Sequence, residues 1–183
     1  GTGGHINPGL AIADIIKSKY PDTEFLFAGT PKGMEAKLVP AAGYRFETIK
    51  VAGFQRRISL ENIGRNAKAA AYLITSGRRA KQIIEGFKPD IAIGTGGYAA
   101  GPVIRKAARM GIPTAIHEQN AYPGVTNKLL SKEVDHVMLT VKEALNFMDG
   151  SKFEHTVTGL PVRSNIKNSI SRAEARKKLG FND

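Results

Sequence analysis

The sequence has no cysteine and no tryptophan in its 183 residues. Without cysteine there are no disulfides, no thiolate nucleophile and no Cys-bound zinc, a composition that suits a reducing compartment. Aromatic residues make up only 7%, too few for the stacking platforms of single-stranded nucleic-acid binders, so nucleic acid is not an expected partner. No apolar run reaches the roughly 18 residues of a membrane-spanning helix, and no basic stretch followed by an apolar core marks a signal peptide. Any membrane contact is therefore expected to be peripheral. Acidic residues are also scarce. Asp and Glu total 16 against 27 Lys and Arg, a formal charge of +11, which draws a protein toward phosphates or an anionic membrane surface.

Several catalytic and cofactor motifs are missing too. No Gly-Lys-Ser/Thr follows a glycine cluster, which excludes a P-loop. The dinucleotide fingerprint fails, because Ile6 stands where a third glycine is needed and Gly29-Thr30 where a ribose-binding acid is expected. There is no Gly-x-Ser-x-Gly nucleophile elbow. With no Asp-x-Asp, and His117 and Glu118 too few to hold an ion, the expectation is metal-independent chemistry without a cofactor.

What is present is alternation. Short strand-like runs at Glu24–Ala28, Arg45–Val51, Asp90–Ile93, Thr114–His117, His136–Leu139 and His155–Thr158 are separated by helical periodicity. The helices are expected at Pro8–Ser18, Gly33–Ala42, Leu60–Gly86, Gly101–Met110, Val125–Lys132 and Val141–Met148. The pattern predicts an α/β, Rossmann-like parallel sheet with helices on both faces. Residues 1–163 read as one domain and 164–183 as a linker toward another, with Ser171-Arg172-Ala173-Glu174 as a capping box that opens a short helix ending near Gly180. Gly1–Gly4 reads as a strand-to-helix turn, so the chain is expected to begin just after the first strand of its sheet.

Gly-Thr-Gly-Gly occurs twice, as Gly1–Gly4 before His5 and as Gly94–Gly97 before Tyr98. Such turns let backbone amides approach an oxyanion beside a helix N-terminus; they are also what a tight strand-to-helix turn needs in any case. His117-Glu118-Gln119-Asn120 and Gly159-Leu160-Pro161-Val162-Arg163 follow two further strands. In a parallel sheet the carboxyl ends share one side, so four segments are expected to converge on one cleft. His117 could serve there or be a core histidine bonded to backbone. Arg163 suits a phosphate or carboxylate, with a plain surface arginine as the alternative.

These residues also form a recognisable series. Gly1-Thr2-Gly3-Gly4-His5 with Pro8-Gly9-Leu10-Ala11, Gly33-Met34-Glu35, Lys88-Pro89-Asp90, Gly94-Thr95-Gly96-Gly97-Tyr98, His117-Glu118-Gln119-Asn120 and Pro161-Val162-Arg163 closely resemble, in order and spacing, the N-terminal half of the MurG family. These are bacterial transferases that add N-acetylglucosamine to lipid I, and the match runs from Gly1 to about Arg163. The resemblance implies the N-terminal, acceptor-holding half of a GT-B glycosyltransferase at the cytoplasmic face of the bacterial membrane. It implies inverting transfer from UDP-N-acetylglucosamine to the 4-hydroxyl of lipid I, giving lipid II for peptidoglycan. It maps His5 to the general base, Thr2, Gly3, Gly4, Asn120 and Arg163 to donor contacts, and Gly94, Thr95, Gly96, Gly97, Tyr98, His117 and Glu118 to the acceptor and its pyrophosphate. One position departs: the family usually reads Asn-Pro-Val-Arg, and Leu160 replaces that Asn. A related lipid glycosyltransferase with another acceptor, or a phosphate-binding module without chemistry, are the competing readings.

Elementary chemistry supports a histidine at that place. A sugar hydroxyl is a poor nucleophile at neutral pH, imidazole titrates near the working pH, and a helix N-terminus disfavours its cationic form. A second surface is expected in the segment 51–87. Ile63, Ala67, Ala70 and Ile74 share one helical face, with Arg65, Lys68, Tyr72 and Arg79 nearly opposite, and a break or phase shift is expected near Gly77. Phe54, Ile58 and Leu60 surround Arg56 and Arg57 just before this helix. Apolar and basic side chains mixed in this way suit an anionic bilayer surface.

Overall fold

The computed structural model describes residues 2–51, 75–148, 151, 153–163 and 170–181. In chain order they form α1 (Gly3–Lys19), β1 (Leu26–Gly29), α2 (Glu35–Ala41), β2 (Arg45–Thr48), the helical residues 75–87 (α3), β3 (Ala92–Gly94), α4 (Gly97–Arg109), β4 (Thr114–Glu118), α5 (Val125–Leu130), β5 (His136–Leu139), a 3₁₀ helix (Lys142–Phe147), β6 (Glu154–Val157) and α6 (Arg172–Lys178). Every strand pairing is parallel, with β1 beside β2 and a separate order of β3-β4-β5-β6. The expected strands are all there, displaced by at most a few residues, but they make two sheets rather than one. A cavity of about 590 Å3 lies where β1 and β3 face each other, walled mostly by apolar side chains such as Ile12, Ile16, Phe27, Ile83 and Ile93.

Burial explains why β4 is central: all five of its residues are buried, whereas all four of β6 are exposed at the sheet's edge. Ile116, Val137 and Leu139 pack with Ile104, Leu130 and Ala144 into one core cluster. Each such side chain, removed from water, contributes about 1.5–3 kcal/mol before chain entropy is subtracted. A second cluster joins Ile6, Leu10 and Ala13 of α1 to Val39 and Tyr44, with Phe25, Phe27 and Phe46 against it. Around Gly9, α1 passes close to both sheets: a Cβ there would be in van der Waals contact with Phe27 Cε1 and Thr95 Oγ1, each at 3.5 Å.

Four local expectations are corrected. The helices after both glycine turns start earlier than periodicity placed them, α1 at Gly3 and α4 at Gly97. Glycine's low helix propensity argues against this in a helix interior but matters less in a first turn, where few intrahelical bonds exist to weaken. Residues 142–147 wind as 3₁₀ rather than α helix. Residues 75–87 show no break at Gly77, burying Ser76, Ala80, Ile83 and Ile84 at helical spacing while exposed Lys81 pairs with Glu85 at 3.4 Å; the face from Ile63 to Ile74, against which a phase shift would be judged, lies outside the described residues. Arg79 reaches across to the Glu47 carboxylate and donates from Nε to the Thr48 carbonyl at 3.1 Å, tying α3 to β2. The capping box at Ser171 and Glu174 is formed as expected, with both reciprocal bonds present.

Tyr44 links the second core to the polar side of α1. Its ring packs on Phe25 and Phe27 and its hydroxyl donates to Asp14 Oδ1 at 2.7 Å. Burial, with Asp14 adding to it, pushes the phenol up to about 12, so it stays a neutral donor. Tyr44→Phe keeps the ring and removes that bond to a charged acceptor, so we expect a loss of about 2 kcal/mol. Urea unfolding of the two proteins measures it, and coincident midpoints would contradict the role given to the hydroxyl.

Candidate functional site

The first turn of α1 lies directly over the turn that opens α4. Thr2 is extended (φ −108°, ψ 161°) and its carbonyl accepts from His5 N at 3.0 Å and Ile6 N at 3.1 Å, which starts the helix and sets the His5 side chain in its first turn. Across from it, Gly96 and Gly97 have φ of +93° and +78°. A Cβ on Gly96 would stand 3.0 Å from His5 Nδ1, and one on Gly97 3.5 Å from His5 Cδ2. Glycine is thus required at position 96 twice over, for its backbone angle and for the space the imidazole occupies. Thr95 Oγ1 donates to the His5 carbonyl at 2.8 Å, closing the contact between the two turns.

The segment after β4 completes the cluster. His5 Nδ1 is 3.1 Å from Gln119 Oε1, while Gln119 Nε2 is 3.1 Å from His117 Nδ1 and donates to the His117 carbonyl at 2.8 Å. His117 Nε2 in turn meets the Gly159 carbonyl at 3.1 Å. The expected convergence of four segments is therefore observed: residues 2–5, 94–98, 117–120 and 159 meet at the carboxyl side of the strands.

Within that convergence the residues divide by accessibility. His117 and Glu118 are fully buried. The Glu118 carboxylate is occupied by the chain itself, accepting from Asn120 N at 2.9 Å, Asn120 Nδ2 at 3.1 Å, Gly124 N at 3.0 Å and Asn127 Nδ2 at 2.9 Å. It pins the loop after β4 rather than facing the cleft, and His117 takes the place of a core histidine bonded to backbone. Burial pushes the His117 imidazole below its ordinary value, against the smaller raising effects of the Gly159 carbonyl and the Glu118 charge. Thr2, Gly4, Tyr98 and Asn120 are exposed, and His5 and Gln119 half-buried. Arg163 stands apart from His5, its Nε 3.4 Å from Asp14 Oδ2 on α1. The bilayer-facing candidates Phe54, Arg56, Arg57, Ile58, Leu60, Arg65 and Lys68 lie outside the described residues.

Two participants escaped the sequence reading. Gln119 stands within the quoted motif but had no role, and Asn127 was taken only as part of a helix. Asn127 is buried, bonded to the His117 carbonyl at 3.2 Å and to Glu118. An asparagine at the inner turn of a short helix, just after a polar strand end, is the one signal that could have marked it. Among the described residues no group of three or more His, Asp or Glu is placed to hold a metal ion.

A parallel α/β domain whose glycine turns and two histidines converge at the carboxyl ends of the strands is an arrangement in which α/β proteins bind ligands. The model of the glycosyltransferase family 28 N-terminal domain matches residues 1–139. The chain belongs to that family, and its fold is that of the N-terminal half of a GT-B glycosyltransferase. It is 52% identical over 99% of its length to the UDP-N-acetylglucosamine–N-acetylmuramyl-(pentapeptide) pyrophosphoryl-undecaprenol N-acetylglucosamine transferase of Acetivibrio thermocellus, and 48% identical over 99% to that of Ruminiclostridium cellulolyticum. The chain spans about half the length of these curated relatives, 47% and 48%. Among solved structures it is similar to MurG of Acinetobacter baumannii, with a TM-score of 0.70 and 29% identity over 95% of this chain and 45% of that one.

Burial of His117 has a consequence for pH. A histidine whose folded value is lowered binds fewer protons folded than unfolded once the pH drops below its ordinary 6.5, so stability declines from there toward the folded value. His117→Gln lacks this burden. The stability advantage of the parent over the variant should therefore shrink between about pH 7 and about pH 5, read from thermal unfolding at each pH. A pH-independent difference would mean that His117 is not held neutral by burial.

Proposed function

We propose that this chain is the acceptor-holding half of a UDP-N-acetylglucosamine-dependent transferase that glycosylates lipid I to lipid II. The observation that carries the reading is His5, set by the first turn of α1 onto Gly96 and Gly97 with one ring nitrogen already bonded. The names of the most similar relatives supply donor and acceptor. In the proposed reaction His5 takes the proton of the acceptor 4-hydroxyl as the oxygen attacks the anomeric carbon. The bond from that carbon to the UDP oxygen breaks with inversion, and UDP leaves with the bonding pair. The first amides of α1 and α4, from Gly3, Gly4, Gly97 and Tyr98, lack intrahelical acceptors and favour anionic groups. We assign those of α4 to the acceptor pyrophosphate and those of α1, with Asn120 and Arg163, to the donor side. His117 and Glu118 support this surface from beneath.

The acceptor's lipid stays in a bilayer, so the proposal includes peripheral binding to an anionic membrane surface on the cytoplasmic side. The formal charge of +11 and the mixed apolar and basic segment 51–87 support it. No helix among the described residues is long and apolar enough to cross a membrane.

In the intact enzyme, His5→Ala should lower turnover by about 100-fold or more and leave UDP-N-acetylglucosamine affinity nearly unchanged, as loss of a general base does. A fall of less than about tenfold in labelled-sugar transfer to a lipid I analogue would take the base role from His5. Changing Arg56, Arg57, Arg65 and Lys68 together to Glu should abolish cosedimentation with anionic vesicles while the circular dichroism spectrum is preserved. Undiminished vesicle binding would move the membrane surface elsewhere.

A further inference from the structure

We infer that Gln119 is a positioning residue that fixes the tautomer of His5, leaving Nε2 as the free base. The inference rests on the base role proposed for His5 and follows from one run of hydrogen bonds whose direction is set at its far end. The Gly159 carbonyl can only accept, so the His117 nitrogen 3.1 Å from it, Nε2, carries a hydrogen. Gly159 reaches this position with φ of +74°, and its carbonyl also accepts from Thr158 Oγ1 at 3.1 Å. A neutral imidazole has one N–H, so His117 Nδ1 is a lone pair, and the buried ring is held neutral.

That lone pair requires a donor, and at 3.1 Å it meets Gln119 Nε2. A second anchor gives the same answer independently: the His117 carbonyl, also an obligate acceptor, is 2.8 Å from the same Nε2. The two hydrogens of one amide nitrogen are thereby both placed, and the amide cannot be turned over without setting its oxygen against a carbonyl. Gln119 Oε1 must then face outward, and it lies 3.1 Å from His5 Nδ1. An amide oxygen only accepts, so Nδ1 of His5 carries the hydrogen and Nε2 keeps its lone pair. Among the described residues the His5 ring bonds through Nδ1 alone, and it lies against Gly96 and Gly97, which present no side chain of their own. The polarity runs from a backbone carbonyl on one side of the sheet, through two side chains, to the one nitrogen able to take a proton from substrate.

The choice of an amide has a chemical reason. A carboxylate at position 119 would also accept from His5 Nδ1 but would stabilise the imidazolium and could not donate to His117. Glutamine fixes the tautomer without adding charge.

The test is a two-bond nitrogen–proton correlation spectrum of the intact protein labelled with 15N-histidine. In the parent, neutral His5 should show a protonated Nδ1 and an unprotonated Nε2. Gln119→Met, similar in length and unable to accept strongly, should give His5 a mixed or Nε2-protonated signal, and kcat should fall at least about tenfold with KM for the donor nearly constant. A parent His5 protonated at Nε2 overturns the inference without recourse to any variant. So does a Gln119→Met protein whose His5 tautomer is unchanged. Retained turnover in His5→Ala alongside the expected parent spectrum would instead overturn the proposed base, a result separable from the hydrogen-bond direction.

Discussion

The start of α1 rests closely on the start of α4 because Gly96 has no Cβ and a backbone angle that suits glycine. The tolerance is small: the atom that an alanine would add at position 96 falls 3.0 Å from one ring nitrogen of His5, closer than side chains ordinarily approach. From that contact follow the placement of the imidazole, the reach of Thr95 to the His5 carbonyl, and the nearness of Gln119. Glycine at position 96 is a statement about His5, far away in the chain, as much as about its own backbone. The loss of backbone freedom it entails is offset by a site assembled with little side-chain entropy still to lose.

Around this contact the chain uses neutral polar groups, and it buries its one nearby charge. Glu118 is taken out of water yet receives four hydrogen bonds from three residues of the following loop and helix. A carboxylate so supplied repays its desolvation and makes the loop rigid. Its removal would leave these donors of Asn120, Gly124 and Asn127 without that acceptor, and Gln119 is the first residue of the loop. The rigidity of Glu118 and the orientation of Gln119 are thus one feature seen at two residues.

Local patterns were legible in the sequence, and contacts between distant segments were not. The capping box at Ser171 and Glu174 spans four residues, and β5 at His136–Leu139 shows its strand pattern in four; both were read with correct bounds. The helix starts at Gly3 and Gly97 were missed because propensity places glycine outside helices, and only packing between the two turns makes it useful inside them. The turn at 142–147 carries helical periodicity, which does not distinguish α from 3₁₀ winding over six residues. Convergence of the four polar segments could be deduced from strand direction alone. The division between His5, which faces the cleft, and His117, which lies under it, could not, because both follow or precede equally polar neighbours and differ only in burial.

Helix α1 joins the two sheets. It is fixed at its first turn by Thr95 and Gln119, which belong to the larger sheet's strand ends, and at Asp14 by Tyr44 and Arg163. The two anchor points are roughly nine residues apart, about 13 Å along a helix. A helix held only at one end could tilt about it and carry His5 away from Gly96. Held at both, α1 has a fixed angle, so the position of one imidazole nitrogen is determined by two cores at once. Arg163 shares the Asp14 carboxylate with Tyr44, so one acid on α1 joins the segment after β6 to the aromatic core beside β1 and β2.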